Sequence, residues 1–190
     1  MEYFICKILI VGDGNVGKTA LRQRYLGGTF VSSYFRTVGA DFGIKYINLN
    51  LNEQQFNIKA QLWDLSGQPH FSSVRPMFYK GGHGFILVFD ITNHESLENL
   101  ENWILEAEKV IKIADLPIII LGNKIDLKTT INETSFEQDC EKTANDLSER
   151  IFGQKGKIKY YFTSALTGEM VDKAFDEMGT LIIEKFLLNK

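Results

Sequence analysis

A single α/β domain built on a mostly parallel sheet follows from three features of this 190-residue sequence. Short apolar runs alternate with stretches of helical periodicity. Two consecutive runs keep a strand period across a short polar break, and a glycine-rich turn leads from the first run into the first helical stretch. Phe4 to Val11 is largely apolar, as a strand buried on both faces requires. Thr19 to Tyr25 reads as the first helix. Phe42 to Leu49 and Phe56 to Trp63 alternate with period two, placing Phe56, Ile58, Ala60 and Leu62 on one face, and the break from Asn50 to Gln54 joins them as an antiparallel hairpin. Phe85 to Asp90 and Ile118 to Gly122 are further apolar strands. Between them a helix is predicted from Glu95 to Ile113, with Leu97, Leu100, Ile104, Ala107 and Ile111 as its buried stripe.

A longer helix is predicted from Ser135, with Gln138 completing a capping box, to just before Gly153. Its stripe is Phe136, Cys140, Ala144, Leu147 and Ile151. Ile158 to Phe162 is the last strand, and Val171, Ala174, Phe175, Met178, Leu181 and Ile182 mark a closing helix. No internal repeat interrupts this order, and three prolines leave no linker at which to divide the chain.

Composition narrows the function. A net charge of −3 without a dense Lys/Arg block argues against a broad hold on nucleic acid. The two cysteines, Cys6 and Cys140, form no CxxC pair and suit a reducing, cytoplasmic setting. Both lie on apolar patterns, as inert core thiols do. His70, His83 and His94 lack metal-ligand spacing. No apolar run reaches membrane-spanning length, and the N-terminus reads as a strand rather than a signal peptide.

Directly after the first strand stands Gly12-Asp13-Gly14-Asn15-Val16-Gly17-Lys18-Thr19, the GxxxxGK[ST] loop in its strand-to-helix setting. Backbone N–H groups from Asp13 to Ala20 can turn inward on phosphate oxygens, helped by the helix N-terminus. Lys18 would reach the β- and γ-phosphates, and the Thr19 hydroxyl would ligate Mg²⁺. Asn123-Lys124-Ile125-Asp126 closes the strand Ile118 to Gly122. A carboxylate at Asp126 can accept from guanine N1–H and its 2-amino group, whereas adenine offers a lone pair there. Trp63-Asp64-Leu65-Ser66-Gly67-Gln68 ends another strand. Asp64 can hold Mg²⁺ through a water, Gly67 N–H can meet the γ-phosphate, and Gln68 can orient the attacking water.

With these motifs in order, the chain resembles a Ras-superfamily small GTPase, most similar to the Rab branch. The resemblance implies the P-loop GTPase fold, a six-stranded sheet with one antiparallel strand flanked by five helices. It implies that Phe30 stacks against guanine, that Tyr34 covers the phosphates, and that Thr37, in Thr37-Val38-Gly39-Ala40-Asp41-Phe42, binds Mg²⁺ only in the triphosphate state. Thr163-Ser164-Ala165 resembles the last motif, with the Ala165 N–H given to the guanine carbonyl and Leu166 where a lysine is usual. GTP and Mg²⁺ would hold two switch loops, about 30–41 and 65–78, and loss of the γ-phosphate would release them. Exchange factors, GTPase-activating proteins and effectors are the implied partners, with the chain itself expected as a monomer. Gly14 leaves room for a partner's arginine, so intrinsic turnover is expected to be slow. Membrane traffic or signalling is the implied setting.

Four departures stand out. Pro69 replaces an acidic residue and should stiffen the second switch, altering Gln68 or partner recognition unless it is simply a tolerated loop proline. Arg36 reads as a solvated arginine, with a built-in finger as its rival. Between Asp126 and Ser164 the chain is about a dozen residues longer than in Ras, either a partner-binding segment or a surface extension. The C-terminal Glu184-Lys185-Phe186-Leu187-Leu188-Asn189-Lys190 carries no cysteine to prenylate, and Glu2 excludes myristoylation, which leaves three readings open: a lipidated tail absent from this sequence, a soluble protein, or peripheral membrane recruitment through partners. Phe186 to Leu188 would extend the last helix and make at most a weak membrane contact. A non-hydrolysing GTP-binding scaffold and an ATP-using P-loop enzyme are the rival functions.

Overall fold

The computed structural model describes residues 3–28, 37–130 and 133–188. Its strands are β1 (Phe4–Val11), β2 (Ala40–Leu51), β3 (Gln54–Leu65), β4 (Gly84–Asp90), β5 (Ile118–Asn123) and β6 (Lys159–Thr163). They form one sheet in the order β2-β3-β1-β4-β5-β6, and only the β2–β3 pairing is antiparallel. Its helices are α1 (Lys18–Tyr25), α2 (Pro76–Tyr79), α3 (His94–Glu98), α4 (Leu100–Glu108), α5 (Glu133–Phe152) and α6 (Val171–Ile183). This is the expected P-loop GTPase arrangement, with α3 and α4 as two parts of one helical stretch.

Alternation along the central strands splits the core into two layers. Leu9, Val11, Phe85, Leu87, Ile118 and Ile120 face α4 and α5, where they meet Leu100, Ile104, Cys140 and Leu147. Ile8, Ile10, Ile86, Val88, Ile119 and Leu121 face α1 and α6, where they meet Leu21, Phe175 and Met178. Because both faces are covered, β4 and β5 are buried at every position, as their apolar runs up to Phe89 and Gly122 require, and the polar Asp90 and Asn123 that end them are buried too. Ile58, Ala60 and Leu62 are fully buried on β3 as the period-two pattern predicts. The hairpin is longer than expected, because Asn52 and Glu53 both take positive φ (50° and 64°) and turn the chain in two residues.

Two helix expectations need correction. The helix predicted from Glu95 to Ile113 is interrupted at Asn99 and ends at Glu108. At Asn99 the carbonyl accepts from Asn102 N at 3.0 Å and more distantly from Trp103 N at 3.4 Å, while the side chain is drawn to a carboxylate across the domain. The helix predicted from Ser135 begins two residues earlier, at Glu133, so Ser135 lies inside the first turn and not at a cap. Its stripe of Phe136, Cys140, Ala144 and Leu147 is buried as predicted, and Ile151 packs at the core's margin.

After α6 a π-helical turn (Glu184–Leu188) folds Phe186 against His83, ring centroids 5.2 Å apart, and Leu187 onto the core. Phe186 and Leu187 therefore serve packing, while Leu188 stays exposed. His83 also accepts from Lys7 N at 3.2 Å, so it serves packing. Burial pushes the thiols of Cys6 and Cys140 up to about 12, which keeps both protonated and inert. No described helix is long and apolar enough to cross a membrane.

Candidate functional site

The loop between β1 and α1, the ends of β3 and β5, and the turn after β6 meet at the carboxyl edge of the sheet, where an open α/β sheet binds its ligand. In the loop, Gly17 has φ +97°, and a side chain there would meet Asn123 Nδ2 at 2.2 Å. Val16 is buried, Asn15 is exposed with φ 67°, and Ala20 lies half-buried in the first turn of α1. Lys18 is nearly buried, and its Nζ donates to the carbonyls of Gly12 at 2.7 Å and Asp13 at 2.6 Å. Burial pushes its pKa down to about 8, against the pull of Asp64 and Asp13. A desolvated ammonium fixed at the centre of the loop is suited to anionic oxygens.

Beside it, Thr19 Oγ1 donates to Asp64 Oδ2, and Thr37 Oγ1 lies 3.1 Å from Thr19 Oγ1 and 3.4 Å from Asp64 Oδ2. Asp64 is fully buried, and its Oδ1 has no hydrogen-bond partner among the described residues. Burial pushes this carboxyl above its ordinary pKa, opposed by Lys18 and Thr19. An orphaned carboxylate oxygen and two convergent hydroxyls are a hard, all-oxygen donor set, which fits Mg²⁺. Among the described residues no group of three or more His, Cys, Asp and Glu offers a metal site elsewhere.

Gly67 sits directly on the phosphate loop. A Cβ there would lie 2.4 Å from the Asp13 carbonyl carbon and 2.5 Å from Gly14 N, both backbone atoms that cannot give way. Gln68 follows with its Nε2 only 2.8 Å from where a Gly14 Cβ would stand, so this side chain covers Gly14. Pro69 opens a short 3₁₀ turn (Pro69–Phe71), a position that needs no N–H, and holds Gln68 extended at φ −77°, ψ 136°. Gly67→Ala is expected to keep GDP binding and to slow single-turnover GTP hydrolysis by about a hundred-fold, because the segment must lift off the loop. A rate within about two-fold of the parent would show that the segment yields freely.

At the base end, Asn123 Nδ2 donates to Val16 O at 2.9 Å and its Oδ1 accepts from Ala165 N at 3.2 Å. The Ala165 N–H expected to meet guanine is thus turned toward Asn123. Asp126 is exposed and accepts from Ser164 Oγ, which orients the carboxylate. Lys124, at φ 72°, pairs with Asp90 at 2.6 Å. Leu166 is 49% exposed, and its carbonyl and that of Ala165 accept from Arg24, which ties α1 to this turn. Phe30, Tyr34 and Arg36 lie outside the described residues.

Several residues not anticipated from sequence join the site. Buried Arg75 donates to the carbonyls of Ser66 at 3.2 Å and Gln68 at 2.9 Å and grips Glu106 through Nε at 2.8 Å and Nη2 at 2.7 Å. Burial opposes ionisation of Glu106, but Arg75 and the Tyr79 hydroxyl outweigh it and hold the carboxyl below its usual range. Asp13 accepts from Asn99 Nδ2 and Trp103 Nε1, both at 2.8 Å. Trp63, between Phe42 (centroids 5.1 Å) and Phe78 (6.0 Å), forms an aromatic strip beside the two loops, where Val38, Val74 and Met77 are also exposed.

The model of the Ras family matches residues 7–184. Among curated relatives, "Ras-related protein Rab-19" of Xenopus laevis is 34% identical over 182 residues, 96% of this chain and 78% of the relative. "Ras-related protein Rab-13" of Rattus norvegicus is 34% identical, covering 94% and 80% of the two chains, and human "Ras-related protein Rab-4A" is 33% identical, covering 96% and 76%.

Proposed function

The chain belongs to the Ras family, on its Rab branch, and from that premise we propose that it binds GTP and GDP with Mg²⁺, hydrolyses GTP to GDP and phosphate, and acts as a nucleotide-controlled switch. The observation that carries this reading is the meeting of Thr19, Thr37 and buried Asp64 beside Lys18, with Gln68 laid over Gly14. Thr19 and Thr37 would hold Mg²⁺ directly and Asp64 through a water; when bound, the ion neutralises charge developing on the β- and γ-phosphates. Lys18 adds a fixed positive charge at the same oxygens. Gln68 orients the attacking water, and Gly67 N–H holds the γ-phosphate. Catalysis of this kind is positioning and charge stabilisation, so turnover is slow until a partner supplies an arginine beside Gly14.

Thr37 and Gly67 belong to different loops, so loss of the γ-phosphate releases both. The Phe42–Trp63–Phe78 strip lies between these loops and supports effector docking there, with exchange and activating proteins acting on the same surface. A cytoplasmic monomer serving membrane traffic or signalling, with peripheral recruitment to membranes, completes the reading. Chelation of Mg²⁺ by EDTA is expected to speed release of a fluorescent GDP by about ten-fold or more, with GTP but not ATP displacing it. Release indifferent to chelation, or displacement by ATP, would contradict the assignment.

A further inference from the structure

The Arg75 guanidinium is the one described cation that reaches two backbone carbonyls of the segment after β3, those of Ser66 and Gln68, through a single nitrogen, Nη1. The Ser66 carbonyl shares its peptide plane with Gly67 N–H. In a trans peptide these two groups point in opposite directions, so a grip on the carbonyl aims the N–H away from Arg75. The Gln68 carbonyl fixes the backbone from which the Gln68 side chain reaches over Gly14. On its other side Ser66 is tied to the first switch, its N–H donating to Gly39 O at 2.9 Å.

Arg75 is itself held by three groups. Glu106 takes it in a two-bond fork, Tyr79 steadies Glu106 at 2.6 Å, and the Trp103 ring lies 4.4 Å beneath the guanidinium. Trp103 in turn donates to Asp13 in the phosphate loop. A planar fork stacked on an aromatic ring is a geometry that lysine cannot reproduce.

We propose that Arg75 is a positioning residue that aims both contacts of the second switch, the Gly67 N–H and the Gln68 side chain, and that Trp103 and Asp13 register it against the phosphate loop. The inference rests on the reading of this site as a GTP-hydrolysing centre and adds to it a residue that touches neither nucleotide nor water. Arg75 acts through main-chain carbonyls, so its loss affects the triphosphate state and hydrolysis while leaving diphosphate binding in place.

The test uses the full chain with Arg75→Lys and, as the milder change, Glu106→Gln. Two quantities are read: the single-turnover hydrolysis rate, and the ratio of affinities for a non-hydrolysable GTP analogue and GDP. Arg75→Lys is expected to slow hydrolysis by roughly ten- to a hundred-fold and to shift the ratio toward GDP by about ten-fold, with GDP affinity itself held within about two-fold. Glu106→Gln should move both in the same direction by less. In a Gln68→Leu background Arg75→Lys should add little to the hydrolysis defect yet still shift the ratio, a non-additivity that a general loss of stability would not produce. Parent-like values for both readouts in Arg75→Lys would overturn the proposal. So would a fall in GDP and analogue affinity together with the melting temperature, which marks a structural role alone. If the parent chain binds guanine nucleotide but does not hydrolyse GTP, the catalytic reading fails separately, and the affinity ratio still decides whether Arg75 aims Gly67.

Discussion

Asp126→Asn is expected to weaken GTP and GDP binding by about 10³-fold or more and to turn the site toward xanthosine nucleotides. Ser164 Oγ occupies one side of the carboxylate by donating to Oδ1, which leaves an oriented acceptor at the open end of β5. Guanine presents two donors, N1–H and the 2-amino group, to such an acceptor. An amide there sets a donor against a donor, and sites built around a hydrogen-bonding edge reject a mismatched partner by about 10⁴ to 10⁵. Xanthine carries a carbonyl in place of the amino group and restores the pairing. Displacement of a fluorescent nucleotide by GTP and by xanthosine triphosphate measures both halves. Unchanged GTP affinity would mean that Asp126 does not read the base, and an ATP-using enzyme would be indifferent to the substitution.

Gln68→Leu is expected to slow intrinsic hydrolysis by about 10² to 10³ while leaving nucleotide affinity unchanged, because leucine fills the same space without a group to orient water. The geometry supplies a second route to the same result. A Cβ on Gly14 would stand 2.8 Å from Gln68 Nε2, so Gly14→Val should push the glutamine away and copy the leucine variant. Single-turnover rates of the two variants and of their combination test this. Equal, non-additive losses are expected, since both remove one function. Independent, multiplying losses would place Gly14 and Gln68 in separate roles.

What could be read from sequence follows how local each signal is. The phosphate loop is eight contiguous residues with fixed backbone demands, and Asn123 to Asp126 ends a strand whose burial shows in its composition. The hairpin was legible from alternation alone, and only its two-residue turn at Asn52 and Glu53 escaped, since neither residue is glycine. The interruption at Asn99 left no local trace: Asn99 and Trp103 are pulled to Asp13, 86 and 90 residues away in sequence. Arg75 and Glu106 likewise belong to no local motif on their own segments. Their pairing across 31 residues, stacked on Trp103, is a product of tertiary packing. Sequence pattern thus singled out the groups proposed to touch nucleotide and passed over those proposed to aim them.

The central claim is that this chain turns GTP into GDP at a site where Gln68 places the water. Its most direct test is a time course of the nucleotide recovered from protein loaded with GTP and Mg²⁺, resolved by chromatography, beside Gln68→Leu. Slow appearance of GDP, on the order of 10⁻⁴ s⁻¹, and its suppression in the variant are the expected result. GTP retained unchanged for a day by the parent chain would contradict the claim and leave a GTP-binding scaffold in its place.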